Sequence, residues 1–436
     1  MKSNKIFGLT AALFMMFVTT GLWAQELKFD GYLNSGVGVV VDDREGIDPY
    51  FKAFGVDSES NGFRFRLGGS FTNEAKNAGV KFRLQAQRRM DQSGYLSMPY
   101  LYGWVGFLQN RITLTGGLID EGLWTSADFW WNDDTGEGLG LLLKVEPFKG
   151  LIIGVGGYVI SQQGSGQNNW LSYQPINADG SPNGNPRLPN FGDLTPNLED
   201  VKYTFNLAYT LPDAFRFNAS FRTNNKAGWA AYRNQDDYGY GGREESMFVQ
   251  AEFRLLAVKN LTTVVVGTVD NIQDFDNKGN IMISETLGYS VNNLSFGLNA
   301  VQFFYNRPEE YNPGLFFNPW VSYAFNKIVP RLDLVYFMGG RSKFGYTNPS
   351  NPTPENQWER RGFANVAKKT SADDDYSVLS ARPSVKFNLD GRIFLEIGDM
   401  INYDMAVKNG AYGDSSDPNK NYLFSNVFYV DLKFSF

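Results

Sequence analysis

The sequence predicts an all-β fold in which about 18 antiparallel strands close into one transmembrane barrel. Hydrophobicity alternates with a period of two along most of the 436 residues, and short turns alternate with long polar connections. Within residues 62–71, apolar side chains take the odd positions, whereas Arg64, Arg66 and small residues take the even positions. Because successive side chains of a strand point to opposite faces, each such strand has one apolar and one polar face.

The number of strands follows from the connections, which are of two kinds. Eight are short turns, near residues 73–78, 108–110, 147–150, 212–213, 257–259, 292–293, 326–330 and 389–391. Nine are long and polar, near residues 42–61, 91–98, 120–137, 162–200, 223–244, 271–280, 306–314, 339–376 and 404–421. These connections join 18 strands, with short periplasmic turns at one end and long extracellular loops at the other, as is typical of a transmembrane barrel. Strand boundaries inferred from sequence carry errors of several residues, so a count of 16 stays open.

The composition of the polar strand face distinguishes a membrane barrel from a soluble β-sandwich. In most strands this face carries arginine, lysine, glutamine or glycine. In a soluble sandwich, the apolar face packs against a second sheet and the polar face meets the surrounding water. In a membrane barrel, the apolar face meets hydrocarbon outside, and the charged face meets water inside. The charged residues of these strands suit the barrel. A closed barrel also leaves no unpaired strand edge. We therefore expect a single barrel domain over residues 25–436.

The composition excludes several classes of function. The chain contains no histidine and no cysteine, which rules out Ser-His-Asp and Cys-His catalysis, thiolate or imidazole metal ligands, and disulfides. Its net charge of −6 argues against nucleic-acid binding, which needs a basic surface. We expect neither an enzyme nor a cofactor, so function should follow from shape and charge.

The first 24 residues have the pattern of a secretory signal peptide. Lys2 and Lys5 form a basic region ahead of an apolar run over residues 6–18, and Ala24 provides a small residue at the cleavage position. The apolar run is shorter than the roughly 20 residues that a spanning helix needs. We therefore expect export and cleavage rather than a retained membrane anchor.

The carboxyl-terminal strand alternates strictly and ends in an aromatic residue. Its apolar face is formed by Phe428, Val430, Leu432, Phe434 and Phe436. Together with the signal peptide, this strand resembles the last strand of the outer-membrane porins of diderm bacteria. The resemblance implies that the five residues are the signal for the barrel-assembly machinery, that the protein lies in outer-membrane lipid, and that it forms a homotrimer. The alternative is that this carboxyl-terminal segment is an ordinary edge strand of a sheet.

A second resemblance to porins lies in a hairpin formed by residues 100–107 and 111–118. Its first strand is rich in aromatic residues and glycine, and a tight turn leads into the second. This is similar to the porin hairpin that precedes the constriction loop. Leu118 departs from the family pattern, in which a polar residue commonly follows the second glycine, so no porin subfamily is identified.

The segment after this hairpin, residues 120–137, is the third long loop and the candidate constriction loop. The resemblance implies that it folds inward and narrows the channel. Its acidic residues are Asp120, Glu121, Asp128, Asp133, Asp134 and Glu137, and its aromatic residues are Trp124, Phe129, Trp130 and Trp131. Acids in this place could set a cation preference, and the rings could stack on sugars. The alternative is a solvated external loop whose rings rest on the rim.

Basic residues gather near the point where the first and last strands meet. By strand phase, those on the lumen face are Lys28, Arg64, Arg66, Lys81, Arg83, Arg382, Lys386, Arg392 and Lys433. A basic wall opposite an acidic loop would create a transverse field that orients dipolar solutes and sorts ions. The alternative is that these charges only hydrate the channel and pair with neighbouring acids such as Asp431 and Glu396.

One segment has the spacing of a calcium-binding loop. Asp274, Asp276 and Glu285 stand at the first, third and twelfth positions of such a loop. Lys278 occupies the fifth position, where a ligand oxygen belongs, and no flanking helices are expected. A hairpin turn at residues 277–280 is favoured, and calcium is a weak candidate.

Together these features predict a water-filled channel for the passive diffusion of small hydrophilic solutes and ions. Two alternatives stay open. The loop tryptophans favour a channel selective for sugars or oligosaccharides. The long loops would also suit a surface adhesin or a structural barrel without transport.

Overall fold

The computed structural model describes residues 26–42, 48–54, 62–89, 95–119, 138–159, 202–223, 247–270, 272–278, 280–305, 314–339, 347–348, 351–352, 376–404 and 424–436. No helix within these ranges is long and apolar enough to cross a membrane. The predicted signal peptide and the candidate constriction loop lie outside the described residues, and so they stay predictions.

Antiparallel strands account for nearly all of the described residues. In chain order they are β1 (Glu26–Asp42), β2 (Tyr50–Phe54), β3 (Gly62–Thr72), β4 (Ala78–Arg89), β5 (Tyr95–Phe107), β6 (Ile112–Ile119), β7 (Gly138–Val145), β8 (Leu151–Val159), β9 (Lys202–Leu211), β10 (Phe215–Arg222), β11 (Phe248–Leu255), β12 (Leu261–Asp270), β13 (Asn280–Val291), β14 (Leu294–Tyr305), β15 (Gly314–Tyr323), β16 (Ile328–Gly339), β17 (Thr347–Asn348), β18 (Asn351–Pro352), β19 (Tyr376–Asp390), β20 (Ile393–Asp404) and β21 (Phe424–Ser435). The described helical residues form two short turns, Ile272–Asp274 and Phe275–Lys278.

The strands close into a barrel. From β3 to β16 each strand pairs with the next, β16 pairs with β19, and β19 to β21 follow in order. β1 closes the ring by pairing with β21 on one side and with β3 on the other. β2 pairs with the part of β1 beyond β3, so β2 and β3 share one strand position. The 19 strands of the sheet therefore occupy 18 positions, which confirms the larger of the two predicted counts. β17 and β18 form a separate hairpin.

The two ends of the barrel also agree with the sequence. All eight predicted short turns join consecutive strands at one end, from the β3–β4 turn to the β19–β20 turn. The strand ends that the long connections join lie at the other end. Two of these connections differ in detail, since β2 forms within residues 42–61 and β5 begins at Tyr95, earlier than expected.

The connection between β12 and β13 corrects one expectation. A hairpin turn was predicted at residues 277–280, but the structure has the two short helical turns there instead. The physical reason is length, because the segment from Asp270 to Asn280 is too long for the two-residue turn of a tight hairpin.

The two faces of the wall differ as the alternation predicts. In β9, Tyr203, Phe205 and Leu207 expose 44%, 47% and 44% of their surface, whereas Thr204 and Asn206 between them expose 3% and 9%. The cross-strand registers carry this phase around the barrel. Apolar side chains therefore face outward and polar side chains line the lumen, as in a transmembrane barrel.

The carboxyl-terminal residue stabilises the pairing of the first and last strands of the barrel. The backbone N–H of Gly31 donates to Phe436 O, and that of Phe436 donates to Gly31 O, both at 3.0 Å. The Phe436 ring stacks on Phe65 at 6.2 Å between centroids, and a Cβ at position 31 would lie 2.6 Å from the Phe436 ring. Glycine therefore lets the last residue close against β1. The five residues of the predicted assembly signal share the outer face, with Phe428 and Phe436 about half exposed.

Candidate functional site: the lumen wall

Eight of the nine predicted basic residues occupy lumen-facing positions on one continuous part of the wall. They are Lys28 on β1, Arg64 and Arg66 on β3, Lys81 and Arg83 on β4, Arg382 and Lys386 on β19, and Lys433 on β21. The ninth, Arg392, is exposed in the short turn between β19 and β20 rather than on a strand, because the chain reverses there. The structure therefore brings the predicted cluster together at the seam of the barrel.

One part of this basic wall is neutralised by buried carboxylates. Arg382 donates to Glu396 Oε1 at 2.8 Å and to the Tyr429 hydroxyl oxygen at 2.7 Å, and that hydroxyl donates to the same Glu396 oxygen at 2.7 Å. On β16, Arg331 donates two hydrogen bonds of 2.7 Å to Asp333. In this part of the wall, the alternative that lumen charges pair with neighbouring acids is the better description.

Another part of the wall holds cations against a tyrosine ring. Lys81 Nζ and Arg83 Cζ lie 5.3 Å and 4.8 Å from the centroid of Tyr100, which is 2% exposed. Within the described part of the chain, no ion pair joins either cation to a carboxylate. A ring face attracts a cation but does not neutralise it. Lys81 and Arg83 therefore contribute net positive charge to the lumen wall.

A second tyrosine lies at the seam. Arg66 Cζ and Lys433 Nζ lie 5.5 Å and 4.7 Å from the centroid of Tyr32. The next lumen-facing residue of β1, Asn34, pairs in register with Arg64 on one side and Lys433 on the other. Asn34 is fully buried, and neither its Oδ1 nor its Nδ2 has a hydrogen-bond partner. Its amide is therefore a buried polar group that no described side chain satisfies.

The wall across the lumen combines hydroxyl and amide groups with charged residues. Arg254 donates to Glu252 Oε1 at 2.7 Å, and Arg216 pairs in register with Arg254. Ser220 donates to Asn206 Oδ1 at 2.7 Å, and Asn206 Nδ2 donates to Thr204 Oγ1 at 3.1 Å, which joins β10 to β9. Gln250 Nε2 donates to Thr268 Oγ1 at 3.3 Å between β11 and β12. These strands lie about half a turn around the barrel from the seam. The lumen thus has a basic side and an opposite side on which hydroxyl and amide groups lie beside a paired carboxylate and arginines.

An apolar patch interrupts the polar lumen face on β5 to β7. It contains Tyr100, Tyr102, Ile119 and Leu142, which expose 6% of their surface or less, with Trp104 packed against them. Ile119 is the last described residue before residues 120–137, and Leu142 lies shortly after them. The patch therefore flanks both ends of the candidate constriction loop. The acids and rings predicted within that loop lie outside the described residues.

The calcium candidate is not assembled by the described side chains. Asp276 is exposed in the helical turn, whereas Glu285 lies within β13, where it pairs with the outward-facing Val265. In the ranges that the structure describes, no group of three or more acidic side chains could hold a metal ion. The loop spacing in the sequence reflects a turn followed by a strand.

Sequence reasoning missed the partners that divide the basic wall. Arg331, Asp333, Tyr32 and Tyr100 were not assigned a role, although the alternation places each of them on the lumen face. The strand phase was a usable signal for their direction. Their contacts with the predicted cations depend on cross-strand register, which no local pattern specifies.

Comparison with solved structures places this fold among the outer-membrane porins. The crystal structure of OccAB3 from Acinetobacter baumannii matches with a TM-score of 0.51 and 9% identity, covering 94% of this chain and 99% of that chain. OccAB1 from the same organism matches with a TM-score of 0.51 and 10% identity, covering 96% and 98%. OccK2 (OpdF) from Pseudomonas aeruginosa, in complex with glucuronate, matches with a TM-score of 0.51 and 9% identity, covering 94% and 98%. No protein-family model and no curated protein matches the sequence.

These likenesses confirm the predicted fold class and the resemblance to porins at the level of the fold. The chain forms the closed, 18-position antiparallel barrel of an outer-membrane porin. Similarity at such low identity concerns architecture, so the solute has to be inferred from the lumen itself.

Proposed function

We propose that this protein is a bacterial outer-membrane channel through which small hydrophilic solutes and ions diffuse passively. The observation that carries the proposal is the closed wall with an apolar outer face and a polar inner face. Eighteen strand positions enclose a barrel about 36 Å across between backbones, which leaves room for water. Passage through such a lumen requires no covalent chemistry. A structural barrel or adhesin is less well supported, because neither needs net charge on the inner wall.

The basic wall favours anionic solutes within this class. Lys81 and Arg83 supply positive charge that no described carboxylate neutralises. The other side of the lumen supplies hydroxyl and amide groups. A small solute with a carboxylate and several hydroxyls would use both sides. This supports the second candidate, a channel selective for sugars, here for acidic sugars, and a solved neighbour holds glucuronate.

The candidate constriction loop is part of the proposal. The apolar patch around Ile119 and Leu142 supports an inward path for residues 120–137, because buried apolar side chains at both ends of the loop favour packing against the wall. Acids such as Asp133 and Asp134 would then share the lumen with the basic wall. The field between them would orient dipolar solutes.

The remaining proposals concern export and assembly. Cleavage of residues 1–24 would release the mature barrel, and the outer-facing row ending at Phe436 would direct it to the barrel-assembly machinery. Insertion into outer-membrane lipid follows from the apolar band on the outer face. A homotrimer is proposed from the resemblance to porins.

Conductance in planar bilayers tests the channel proposal. The purified barrel should give stepwise conductance, and heat-denatured protein at the same concentration is the control. Folded barrels without conductance would contradict the channel and favour the adhesin. Liposome swelling should then compare glucuronate with neutral glucose of similar size. Equal rates for both would leave a general porin and remove the preference for acidic sugars.

A further inference from the structure

The lumen face of β5 carries three aromatic side chains in a row. At alternate positions along the strand, they are Tyr100, Tyr102 and Trp104. In register with them on β4 lie Arg83, Lys81 and Gly79. Each ring of this row therefore lies beside one lumen-facing residue of β4, on the strand that precedes β6 and residues 120–137.

The three rings contact one another in order. The centroids of Tyr100 and Tyr102 lie 5.7 Å apart with an interplanar angle of 45°, and those of Tyr102 and Trp104 lie 6.4 Å apart at 55°. Tilted ring pairs at such distances are favourable. Trp104 in turn packs over Gly79, where a Cβ would overlap its ring. Tyr100 is therefore supported by two further rings on the side of the short turn.

Packing with β6 and β7 supports the same row. Tyr100 and Tyr102 belong to one buried cluster with Ile119 and Leu142, and none of the four exposes more than 6% of its surface. Side chains in closely packed clusters occupy single rotamers. The position of the Tyr100 ring is therefore set by the wall before any solute arrives.

Lys81 and Arg83 depend on this ring for their position. Among the described residues, neither forms an ion pair or a hydrogen bond, and both lie on the ring of Tyr100. They are two residues apart on one face of β4, which separates their Cα atoms by about 7 Å, so their charges repel each other. The negative face of the ring attracts both cations. Without it, two long side chains would regain rotamers and move apart.

The second tyrosine of the wall differs in this respect. Of the two cations on Tyr32, Arg66 also donates to the side chain of Gln85, and Lys433 Nζ also lies 5.8 Å from the centroid of Phe394. These cations therefore keep a second contact when one ring is removed. Dependence on a single ring is stronger at Tyr100 than at Tyr32.

We propose that Tyr100 is a positioning residue of the channel, whose ring holds Lys81 and Arg83 in the arrangement that receives a solute carboxylate. This inference rests on the proposed preference for acidic sugars and deepens it. Cations that are already ordered bind an anion more tightly, because less side-chain freedom is lost on binding. The two charges therefore set the ion selectivity, whereas the ring sets the affinity for a carboxylate. The two effects can be measured separately.

Single-channel recording tests the proposal with two readouts, the block of the current by glucuronate and the reversal potential under a KCl gradient. Tyr100→Leu should weaken the block about tenfold, because binding must now order two long side chains. It should keep the anion-to-cation permeability ratio of the parent, because both charges remain. Tyr100→Phe keeps the ring and should match the parent in both readouts. The control is Trp320→Leu, which removes a ring 4.3 Å from Arg331 and should leave the block unchanged, since Asp333 still holds that arginine.

A replacement that keeps the shape of the ring covers the case in which Tyr100→Leu does not fold. Trifluorophenylalanine at position 100 fills the same space as phenylalanine but has a much weaker negative face. It should bind glucuronate several-fold more weakly than Tyr100→Phe, and an equal block by the two would overturn the proposal.

Three further results would also overturn it. They are an unchanged block in Tyr100→Leu, a block in Tyr100→Phe as weak as that in Tyr100→Leu, and a permeability ratio in Tyr100→Leu that falls as far as in Lys81→Gln with Arg83→Gln. A parent channel that conducts but is not blocked by glucuronate would refute the preference for acidic sugars and this role with it. Absence of conductance in the folded parent would refute the channel itself.

Discussion

Removing the two cations on Tyr100 should reduce the preference of the channel for anions. The double variant Lys81→Gln with Arg83→Gln keeps polar side chains of similar length while it deletes two charges. Neither residue forms an ion pair within the described ranges, so no buried carboxylate is left without its partner. The effect should therefore fall on the lumen potential rather than on folding.

The size of the effect follows from the width of the barrel. With a backbone radius of about 18 Å and side chains that reach about 6 Å inward, each charge lies about 12 Å from the axis. In water, two unit charges at that distance change the energy of a monovalent ion by about 0.7 kcal/mol before screening. At 0.01 M salt about two thirds of this remains, and at 0.1 M about one third. Because anions and cations respond in opposite directions, the anion-to-cation permeability ratio should fall about fivefold at 0.01 M and about twofold at 0.1 M.

The assay is the reversal potential in planar bilayers under a KCl gradient. A matched control removes the same total charge from the rim, by changing Lys76 and Lys327 in two exposed short turns to glutamine. The control should shift the potential less than the lumen variant does. Two results would refute the reasoning, namely an unchanged permeability ratio at 0.01 M salt and an equal shift in the control.

Three further predictions test closure, the neutralised part of the wall and the candidate loop. Gly31→Ala should lower the midpoint of thermal unfolding, because overpacking at the closure costs about 1–3 kcal/mol. Gly267→Ala is the control, since position 267 has open space for a Cβ and its midpoint should not change. Equal midpoints for the two variants would contradict the role of glycine at the seam. Glu396→Gln should lower the free energy of unfolding by about 3 kcal/mol, because a nearly buried guanidinium loses its counter-charge, and an unchanged denaturant midpoint would show that the ion pair is not structural. Changing Asp133 and Asp134 to asparagine should shift the reversal potential toward anions if the loop lines the lumen, and an unchanged potential would place it outside.

The sequence was most informative where one rule acts along a whole strand. In β9 the alternation of Phe205 with Thr204 and Asn206 is strict, because one side meets lipid and the other meets the lumen. The turns were equally clear, since a pair such as Asn292–Asn293 interrupts two alternating segments. Strand number and facing direction could therefore be predicted from the sequence alone.

Contacts between strands were much less predictable. Arg382 and Tyr429 are 47 residues apart, and they meet only because β21 pairs with β20 in one particular register. Glu285 shows the same problem in another form. Its spacing from Asp274 suggested a calcium ligand, whereas its strand phase places it on the outer wall. A position in a strand has to be assessed against the face it occupies before a loop motif is assigned to it.

The basic residues of the lumen differ in function because their partners differ. Arg382 is fixed by Glu396 and Tyr429, so it contributes to the stability of the wall and little to the field. Lys81 and Arg83 face a ring instead, and they keep their charge available to solutes. Lys386 faces the Phe394 ring at 3.8 Å in the same way. The positive potential should therefore follow such ring-held cations rather than Arg382. Lys81 and Arg83 pair in register with β5, the strand that precedes β6 and residues 120–137. An inward loop would then bring its acids near these two cations, and the narrowest part of the channel would combine both charges within one Debye length.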